Sequence, residues 1–496
     1  MFEEEQEKIR IEKLKKIKEA GILPYPYRFE CTHRIKDIRA SKEKFIDKEV
    51  QVAGRILAIR GHGKIIFADL QDGESKIQLY FKSDLLGDSF NLLKLLDIGD
   101  FIGVKGEIFE TQTGELTILI GEFTLLSKSL HPLPEKWHGL VDKEIRFRKR
   151  WLDLVMSPEI KEIFVKRALI IKQIRKFLDA RGFIEVETPV LQGIYGGGFA
   201  EPFKSYYKSL DRNFYLRISD ELYLKRLVIG GFERVYEFGK DFRNEGMDRL
   251  HNPEFTVLEL YQAYADYNDM MNLVEELFEK LCKVQTTTHG SRTRFTDTVH
   301  GHDLEIEYQG TKIKFKRPWR RLTFFESLKK YTGKELKDKN EKELAKFAQE
   351  NEIPVSKEYH RGKILDAIFD TFVQPKLVEP TFIIDYPKDI SPLAKEHRDD
   401  PNLVERFEPF VCGIEIGNAF SELNDPLEQI KRFEMQQEFR KKGDMEAQIM
   451  DKDFIEALGY GMPPTGGLGL GIDRIAMLFT NSHSIKDVLL FPHLRT

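Results

Sequence analysis

The sequence contains few cysteines and no long apolar run, and each absence limits what the protein can be. Its three cysteines, Cys31, Cys282 and Cys412, lie far apart, so we predict neither a disulfide framework nor a zinc-type ligand pair, and we expect a reducing, cytoplasmic environment. No apolar stretch reaches the roughly 18 residues that a membrane-spanning helix needs, so no membrane partner is expected. The N-terminal residues are too charged for a secretory signal.

The two common nucleotide-binding loops are also missing from the sequence. The G-x-x-x-x-G-K-S/T pattern does not occur, since Gly333-Lys334 is followed by Glu335. The glycine-rich stretch 466–471 is followed by Ile472, where the G-x-G-x-x-G pattern requires its third glycine. An ATP site in this protein must therefore be of another kind. The net charge of -4 also excludes a general polyanion binder, so nucleic acid would have to bind through local patches.

Residues 1–130 predict a helix followed by a small β-barrel. The first 20 residues interleave acidic and basic side chains around Ile9 and Ile17, which predicts a solvated amphipathic helix. From about residue 50 to 126 apolar and polar residues alternate in five segments, with a helical stretch near 90–96 between the third and the fourth. This order is typical of an OB-fold, which binds single-stranded nucleic acid by stacking bases on exposed aromatic rings.

The rest of the chain is too long to belong to the same core, so a second domain is expected. Residues 131–145, which begin with His131-Pro132-Leu133-Pro134, predict a stiff linker. Residues 146–496 alternate helices and strands and predict a larger domain, with a helical insertion within about 285–400, where Lys and Glu are frequent. The predicted fold class is therefore α+β, with a β-barrel at the N-terminus.

A polar loop between two strands is the most informative stretch of the sequence. Residues 242–255 join the apolar strand 234–238 to the returning strand 256–261. Period-two alternation would place charged groups of both strands on one face. A functional face of this kind needs an arginine for phosphate or carboxylate, a glutamate to orient an amine and an aromatic ring to stack on a base. The alternative is a hairpin with ordinary surface charges.

Two glutamates later in the chain are candidate ligands for Mg²⁺. Glu408 and Glu415 are seven residues apart in apparent strand, and an odd separation normally points two side chains to opposite faces. A bulge, or a turn at Gly413, is needed for both to reach one ion. Hard oxygen ligands would suit Mg²⁺ that bridges phosphates. The alternative is an ordinary paired carboxylate at a sheet edge.

The glycine-rich stretch near the C-terminus precedes a predicted helix. Residues 466–471 lead into an apolar run that begins after Asp473. Glycines let a ligand approach the backbone closely, and Arg474, at the start of the helix, would face a phosphate.

Taken together, these stretches resemble the three signature motifs of class II aminoacyl-tRNA synthetases. The first motif is the long helix and strand that end at Pro189, the second is the loop that contains Arg243, and the third is the glycine-rich segment that ends at Arg474. Residues 217–226 and 417–425 look like the lysine-specific members of that class. The resemblance extends over almost the whole chain.

The resemblance implies a fold, a reaction and partners. An N-terminal OB-fold would bind the anticodon of tRNA(Lys). A class II synthetase domain, with an antiparallel sheet flanked by helices, would activate L-lysine with ATP and load it onto the tRNA. The segment around the first motif would form a homodimer, Mg²⁺ would be the metal cofactor, and the protein would act in the cytoplasm.

Carried over position by position, the resemblance assigns roles to individual residues. Arg243 and Arg474 would be the catalytic arginines, with Arg243 holding the α-phosphate and the lysine carboxylate. ATP would contact Arg243, Glu245, His251, Asn252, Phe255, Glu408, Glu415 and Arg474, and Glu408 and Glu415 would also bind Mg²⁺. Lysine would lie among Gly197, Glu221, Arg243, Glu259, Tyr261, Asn418, Phe420 and Glu422. The anticodon would contact Arg60, Phe67, Gln78 and Glu115, with Phe67 stacking on a uracil.

The charge of the proposed pocket can be tested against the choice of amino acid. Glu221, Glu259 and Glu422 around one small ligand repel each other and raise each other's pKa. Two ammonium groups of lysine would relieve that repulsion, whereas aspartate needs a basic pocket and asparagine a mostly neutral one. Three alternatives remain open: an aspartyl- or asparaginyl-tRNA synthetase on the same scaffold, a lysyl ligase that modifies a protein and would lack the barrel, and a non-catalytic tRNA-binding protein.

Overall fold

The computed structural model describes residues 3–134, 142–283, 304–356, 358–444 and 446–495. The described chain separates into two compact units, one that ends at residue 142 and one that begins at residue 143. Parts of the predicted linker and of the predicted insertion, residues 135–141 and 284–303, lie outside the described residues. None of the helices in the described ranges combines the length and hydropathy that a bilayer span requires.

The N-terminal unit is a closed five-stranded barrel with the strand order β1-β2-β3-β5-β4. Its elements are α1 (Glu5–Glu19), α2 (Ile35–Ala40), β1 (Glu49–His62), β2 (Ile65–Gln71), β3 (Lys76–Lys82), α3 (Ser83–Leu86), β4 (Phe101–Glu110) and β5 (Leu116–Ser127). A 3-10 segment, Gly87–Leu95, follows α3. Val50, Val52 and Ile56 point into the barrel because alternate residues of a strand face the same side. The predicted OB-fold is confirmed.

Helix α1 is less exposed to solvent than its sequence predicted. Ile9 is 50% exposed, but Ile17 is only 2% exposed and belongs to the barrel core. The guanidinium of Arg10 is buried and donates to main-chain carbonyls of Ile98 and Ser129 at 3.1 and 3.0 Å. The arginine therefore attaches the helix to the rest of the unit, since it satisfies main-chain acceptors far away in the sequence.

The C-terminal unit contains a long mixed sheet surrounded by helices. Its first half consists of α4 (Lys143–Arg148), α5 (Arg150–Met156), α6 (Pro158–Asp179), β6 (Ile184–Glu185), β7 (Leu191–Gln192), β8 (Lys204–Tyr207), β9 (Arg212–Leu216), α7 (Glu221–Ile229), β10 (Arg234–Phe242), β11 (Glu254–Ala263) and α8 (Tyr267–Cys282). Its second half consists of β12 (Glu305–Tyr308), β13 (Thr311–Lys314), β14 (Arg320–Thr323), α9 (Phe324–Thr332), α10 (Glu341–Glu350), α11 (Arg361–Phe372), β15 (Thr381–Pro387), β16 (Leu403–Val411), β17 (Ile414–Glu415), β18 (Gly417–Ser421), α12 (Pro426–Lys441), α13 (Lys452–Gly459), β19 (Thr465–Gly471) and α14 (Ile472–Phe479).

The main sheet has the strand order β14-β15-β16-β18-β19-β11-β10-β6, and β17 pairs with β16. Its central pairs are antiparallel, and the two outermost pairs, β14 with β15 and β10 with β6, are parallel. The predicted class, a barrel plus an antiparallel-sheet domain with helices, is confirmed.

A helical insertion was predicted within about residues 285–400, and the described helices of that range lie near its middle. Helices α9, α10 and α11 occupy residues 324–372 and form a core of their own with β15. The described residues before and after them form strands, and β14 and β15 join the main sheet. Lysine and glutamate enrichment marked the exposed helix faces but not these short strands, which carry too few residues for a clear alternation.

The central strands of the main sheet present two chemically different faces. On one face, Leu258 of β11 and Leu468 of β19 are buried in a core shared with α6, α8 and α14. On the other face, the neighbouring residues Glu259 and Gly469 lie opposite each other in register. Because successive side chains alternate between faces, the apolar core supports a polar surface directly above it.

Candidate functional site

The polar face of the sheet forms the floor of a cavity of about 370 Å³. All residues predicted to bind ATP or the amino acid line this cavity, although they come from distant parts of the chain: Gly197, Glu221, Arg243, Glu245, His251, Asn252, Phe255, Glu259, Tyr261, Glu408, Glu415, Asn418, Phe420, Glu422 and Arg474. The structure therefore brings the whole predicted set together, while the role of each residue stays a prediction.

The glycines of β19 create the space above the floor. Gly467 and Gly469 pair in register with Tyr261 and Glu259 of β11. A Cβ at Gly469 would lie 2.3 Å from Oε1 of Glu259, and a Cβ at Gly467 would lie 1.9 Å from Oε1 of Glu422. Glycine is required here because any side chain would occupy the position of these carboxylates.

A tight turn places the two candidate metal ligands on the same face, although an odd number of residues separates them. Cys412 and Gly413 have φ angles of 51° and 70°, and the chain reverses there so that Phe410 of β16 faces Glu415 of β17. Glu408 lies two residues before Phe410, so Glu408 and Glu415 share one face of the hairpin. The turn at Gly413 that the sequence required is present, and it extends to Cys412.

The two glutamates fit a metal ion that arrives with phosphate better than a stand-alone metal site. Burial raises the pKa of Glu408 to about 7, the nearby Glu415 adds to the shift, and Arg406 opposes it. Within the described ranges, no group of three or more His, Cys, Asp or Glu side chains could hold a metal ion. Mg²⁺ is commonly bound by one or two carboxylates together with substrate phosphates and water. The donor set therefore suits Mg²⁺ bound to a nucleotide.

Arg474 is held at the same end of the cavity by three contacts. Its Nη1 donates to the main-chain carbonyl of Glu415 at 2.8 Å and lies 3.1 Å from the carboxylate. Its Nη2 lies 3.0 Å from Nε2 of His251, whose Nδ1 lies 2.8 Å from Asp248. Asp248 thus fixes the ring so that Nε2 accepts from the arginine. No role was predicted for Asp248, although its spacing of three residues from His251 is visible in the sequence.

The loop between β10 and β11 supplies polar atoms that have no partner in the described structure. Nε of Arg243 and Oδ1 of Asn252 are buried and lack a hydrogen bond. The guanidinium of Arg243 lies 5.1 Å from the centre of the Phe255 ring, close enough for a cation–π contact. Buried polar atoms without partners are costly, so these groups are placed for a ligand that completes their hydrogen bonds.

The opposite end of the cavity is acidic. Burial raises the pKa of Glu422 to about 8, although the ammonium of Lys225 opposes the shift. The pKa of Glu259 is also raised well above its usual value, first by burial and then by repulsion from nearby carboxylates such as Asp220. Within the described part of the chain, neither oxygen of Glu422 has a hydrogen bond of good geometry. The cavity therefore pairs an acidic end with an end that carries Arg243 and Arg474.

Comparisons with known proteins agree with this arrangement. The family model for class II tRNA synthetases of the D, K and N type matches residues 142–495, and the model for OB-fold nucleic acid binding domains matches residues 50–126. The lysine–tRNA ligase of Carboxydothermus hydrogenoformans is 50% identical over 490 residues, which cover 98% of this chain and 97% of the relative. The chain belongs to the lysine–tRNA ligase family of class II tRNA synthetases.

Other members of this family show the same degree of similarity. The lysine–tRNA ligase of Moorella thermoacetica is 50% identical over 489 residues, which cover 98% of the chain and 97% of the relative. That of Clostridium perfringens is 47% identical over 497 residues, which cover 99% and 96%. The predicted family membership is confirmed. The domain model alone spans three amino-acid types, so the choice of lysine among them rests on the relatives and on the acidic end of the cavity.

The synthetase site contains a lysine that the sequence argument missed. Nζ of Lys225 lies 2.5 Å from Oε1 of Glu221 and 2.5 Å from Oε2 of Glu422. The charge argument from sequence treated the ligand as the only source of positive charge, and this was incomplete. Lys225 compensates part of the negative charge that Glu221 and Glu422 carry when they are ionised. The four-residue spacing of Glu221 and Lys225 on α7 was the available signal.

Further charged residues of the synthetase site also escaped sequence analysis. Arg406 donates to Asn418 at 2.9 Å and to Glu408 at 2.5 Å. Asp241 lines the cavity beside Arg243, and burial raises its pKa to about 6. Arg406 stands two residues before Glu408 and so shares its face of β16, which is a signal that period-two alternation could have provided.

The four predicted anticodon residues belong to the outer surface of the N-terminal barrel and its loops. Phe67 faces Arg60 across β1 and β2, and Gln78 accepts from Thr117 at 3.0 Å. Arg60 pairs with Asp69 at 2.7 Å and Glu115 with Arg39 at 3.5 Å. The predicted polar residues are thus already partnered, while their contacts with RNA stay a prediction.

The ring of Phe67 is supported from one side. Tyr80 of β3 stacks on it with ring centres 4.8 Å apart and planes 18° apart, and Tyr80 in turn lies 5.9 Å from Phe109. Three aromatic rings therefore form a continuous row on the outer face, and the sequence analysis had named only the first of them.

Proposed function

We propose that the protein activates L-lysine with ATP and transfers it to tRNA(Lys). The observation that carries the proposal is the convergence of Glu221, Glu259 and Glu422 at one end of the cavity that also holds Arg243. Aspartate would bring a second negative charge to these acids, and asparagine would bring no cation for Glu422. Buried unpaired charges reject ligands that cannot satisfy them, so the acidic end favours lysine.

In the first step, a carboxylate oxygen of lysine attacks the α-phosphorus of ATP, and the bond to the bridging oxygen breaks so that pyrophosphate leaves. Arg243 holds the carboxylate and the α-phosphate, and Arg474 holds the distal phosphates or the adenine ring. The reaction needs positioning and charge neutralisation rather than a protein nucleophile. In the second step, a hydroxyl of the terminal ribose of the tRNA attacks the lysyl carbonyl carbon, and AMP leaves.

Glu408 and Glu415 would hold Mg²⁺ against the phosphates of ATP. Their shared face of the hairpin and their position beside Arg474 support this assignment. The ion would neutralise negative charge on the phosphates. Titration of ATP–pyrophosphate exchange with Mg²⁺ tests the proposal, because a Glu415→Gln variant should need a higher Mg²⁺ concentration for half-maximal rate.

A homodimer is the proposed state of the protein. Segments on both sides of α6 leave large apolar side chains in solvent, namely Trp151 at 59%, Ile184 at 52% and Leu191 at 54% exposure. Exposed apolar groups concentrated in one region mark interaction surfaces. Sedimentation analysis should give twice the chain mass of 58.0 kDa. Since its product is used in translation, we place the enzyme in the cytoplasm.

The barrel is proposed to bind the anticodon through Phe67, with Arg60, Gln78 and Glu115 contacting base edges. The stacked pair of Phe67 and Tyr80, whose side chains are half-buried, is the supporting observation. Exposed aromatic rings on OB-folds stack on single-stranded bases.

Lysine-dependent ATP–pyrophosphate exchange, measured in parallel with aspartate and asparagine, tests the whole proposal. We expect exchange with lysine alone. Exchange with aspartate or asparagine instead would establish the runner-up function on the same scaffold, and no exchange with any amino acid would favour a non-catalytic tRNA-binding protein.

A further inference from the structure

A buried ammonium group stands behind the acidic end of the cavity. Lys225 is 0% exposed, and its Nζ lies 2.5 Å from both Glu221 and Glu422. Both glutamates line the cavity, whereas Lys225 does not. The lysine is therefore separated from the ligand space by the carboxylates that it contacts.

We propose that Lys225 is a positioning residue for amino-acid selection, which bridges Glu221 and Glu422 from behind, orients both carboxylates toward the cavity and favours their charged forms. The inference rests on the proposed function, because it assumes that these glutamates bind the ammonium groups of the substrate. It adds a residue whose contribution to substrate affinity is indirect.

The geometry of Glu422 shows what the bridge achieves. Its Oε2 lies 2.5 Å from Nζ of Lys225. Its Oε1 lies over Gly467, where a Cβ would come within 1.9 Å, and has no hydrogen bond to any described residue. One carboxylate oxygen therefore contacts Lys225 outside the cavity, and the other points over Gly467 into the cavity. A substrate ammonium can bind Oε1 without displacing Lys225.

The charged and titratable groups around Lys225 explain why an internal cation is needed. Glu221 lies on its own helix, Glu422 follows β18, and the ring of Tyr261 on β11 and that of Phe454 on α13 lie 5.9 Å from Nζ. Beyond them, Glu259 repels Glu221 and Glu422. Without the ammonium, repulsion between the buried carboxylates would be stronger, and protonation of one of them would persist to higher pH.

Removing the ammonium of Lys225 should therefore weaken the binding of lysine and change its dependence on pH. In Lys225→Met, a substrate ammonium must compete with the proton that a glutamate has taken up. We expect the KM for lysine in pyrophosphate exchange to rise by about tenfold or more, since an ionic contact to a buried group is weakened. The KM for lysine should fall as the pH rises and then reach a plateau. In the variant, this plateau should begin at a higher pH than in the wild-type protein. The KM for ATP should change by less than about twofold, because the nucleotide contacts lie elsewhere in the cavity.

Two further variants separate positioning from a structural role. Lys225→Arg retains the charge and should recover part of the lysine affinity. Arg226→Met removes a cation from the next position of the same helix, where Arg226 pairs with Asp451 at 2.5 Å, and it should leave the KM for lysine and its pH profile unchanged. A uniform loss of stability would move the KM values for lysine and ATP together.

A double variant keeps the inference testable if Lys225→Met folds poorly. In a Glu422→Gln background one of the two repelling charges is gone, so adding Lys225→Met should raise the KM for lysine much less than it does in the wild-type background. Equal effects of Lys225→Met in both backgrounds, or an unchanged KM for lysine in the single variant, would overturn the inference. A wild-type protein without lysine-dependent exchange would instead overturn the proposed function, so the two failures are distinguishable.

Discussion

The outer face of the barrel and the cavity of the synthetase unit differ in whether their polar groups already have protein partners. On the barrel, Arg60 and Gln78 already have protein partners, and the half-buried ring of Phe67 offers one flat face. In the cavity, Arg243 and Glu422 have buried polar atoms that form no hydrogen bond with any residue that the structure describes. The first surface is stable without a ligand, whereas the second is completed only when a ligand of the right charge is present.

This difference indicates how much selectivity for a ligand each of the two surfaces can provide. A base stacked on an exposed ring contributes about 1–3 kcal/mol and tolerates different bases, because every base has a flat face. A buried charge without a partner penalises every ligand that fails to satisfy it. We therefore expect substitutions in the cavity to have larger and more selective effects than substitutions on the barrel.

The largest effect of a substitution is expected at Arg243 in the cavity, where the difference from the barrel surface is greatest. Arg243→Ala should lower the rate of lysine-dependent pyrophosphate exchange by at least about 10²–10³, the loss typical of removing one preorganised donor to transition-state charge. Arg249→Ala is the matched control, since this arginine lies in the same loop, does not line the cavity, and donates to the main-chain carbonyl of His483 at 3.3 Å. Comparable losses in both variants would mean that loop structure, and not charge at the site, sets the rate.

Glu422 tests the acidic end of the cavity. Glu422→Gln should raise the KM for lysine by roughly 10- to 150-fold, which corresponds to the loss of one ionic hydrogen bond of about 1.5–3 kcal/mol. The KM for ATP should be preserved. The exposed Glu396, paired with Lys388 at 2.7 Å, provides the control Glu396→Gln. An unchanged KM for lysine would mean that Glu422 does not bind lysine. The expected difference between the cavity and the barrel would then be smaller.

The elements that were predictable from sequence carry long, regular patterns. Alternation in residues 50–126 was sufficient to predict the barrel, and the spacing of apolar residues after Pro158 was sufficient to predict α6. The family resemblance supplied all the cavity residues that were named. What sequence patterns alone could not supply were contacts that depend on tertiary structure, such as the docking of α1 by Arg10.

Two positions show the physical limits of sequence reasoning at the site. The hairpin that aligns Glu408 with Glu415 depends on Cys412 in a left-handed conformation, with a φ of 51°. Non-glycine residues adopt it rarely, so no local pattern predicts it. Lys225 was visible as a helical neighbour of Glu221, but only the fold brings Glu422 to its other side. The charge balance of a buried site is a property of the fold.

Phe67 tests the barrel side of the comparison. Phe67→Ala should raise the KM for tRNA(Lys) in aminoacylation by about 5- to 150-fold, as expected for the loss of one stacked base, and leave pyrophosphate exchange intact. Phe101→Ala is the control, because the Phe101 ring belongs to the same barrel but is covered by the guanidinium of Arg55 at 4.2 Å. If exchange and aminoacylation fell equally, the barrel would not have a separate recognition role.

The smallest expected effect is a dependence of lysine affinity on pH. Burial raises the pKa of Glu422 to about 8, so its carboxyl is mostly protonated at pH 7 and must lose that proton to bind an ammonium group. Raising the pH therefore favours binding, and the KM for lysine should fall roughly fivefold between pH 7 and 8 if this group alone titrates. Glu422→Gln has no proton to lose and should flatten the profile. A KM that rises over this range would show that Glu422 is ionised before lysine arrives, and the cavity would then resemble the barrel in having its charges already satisfied.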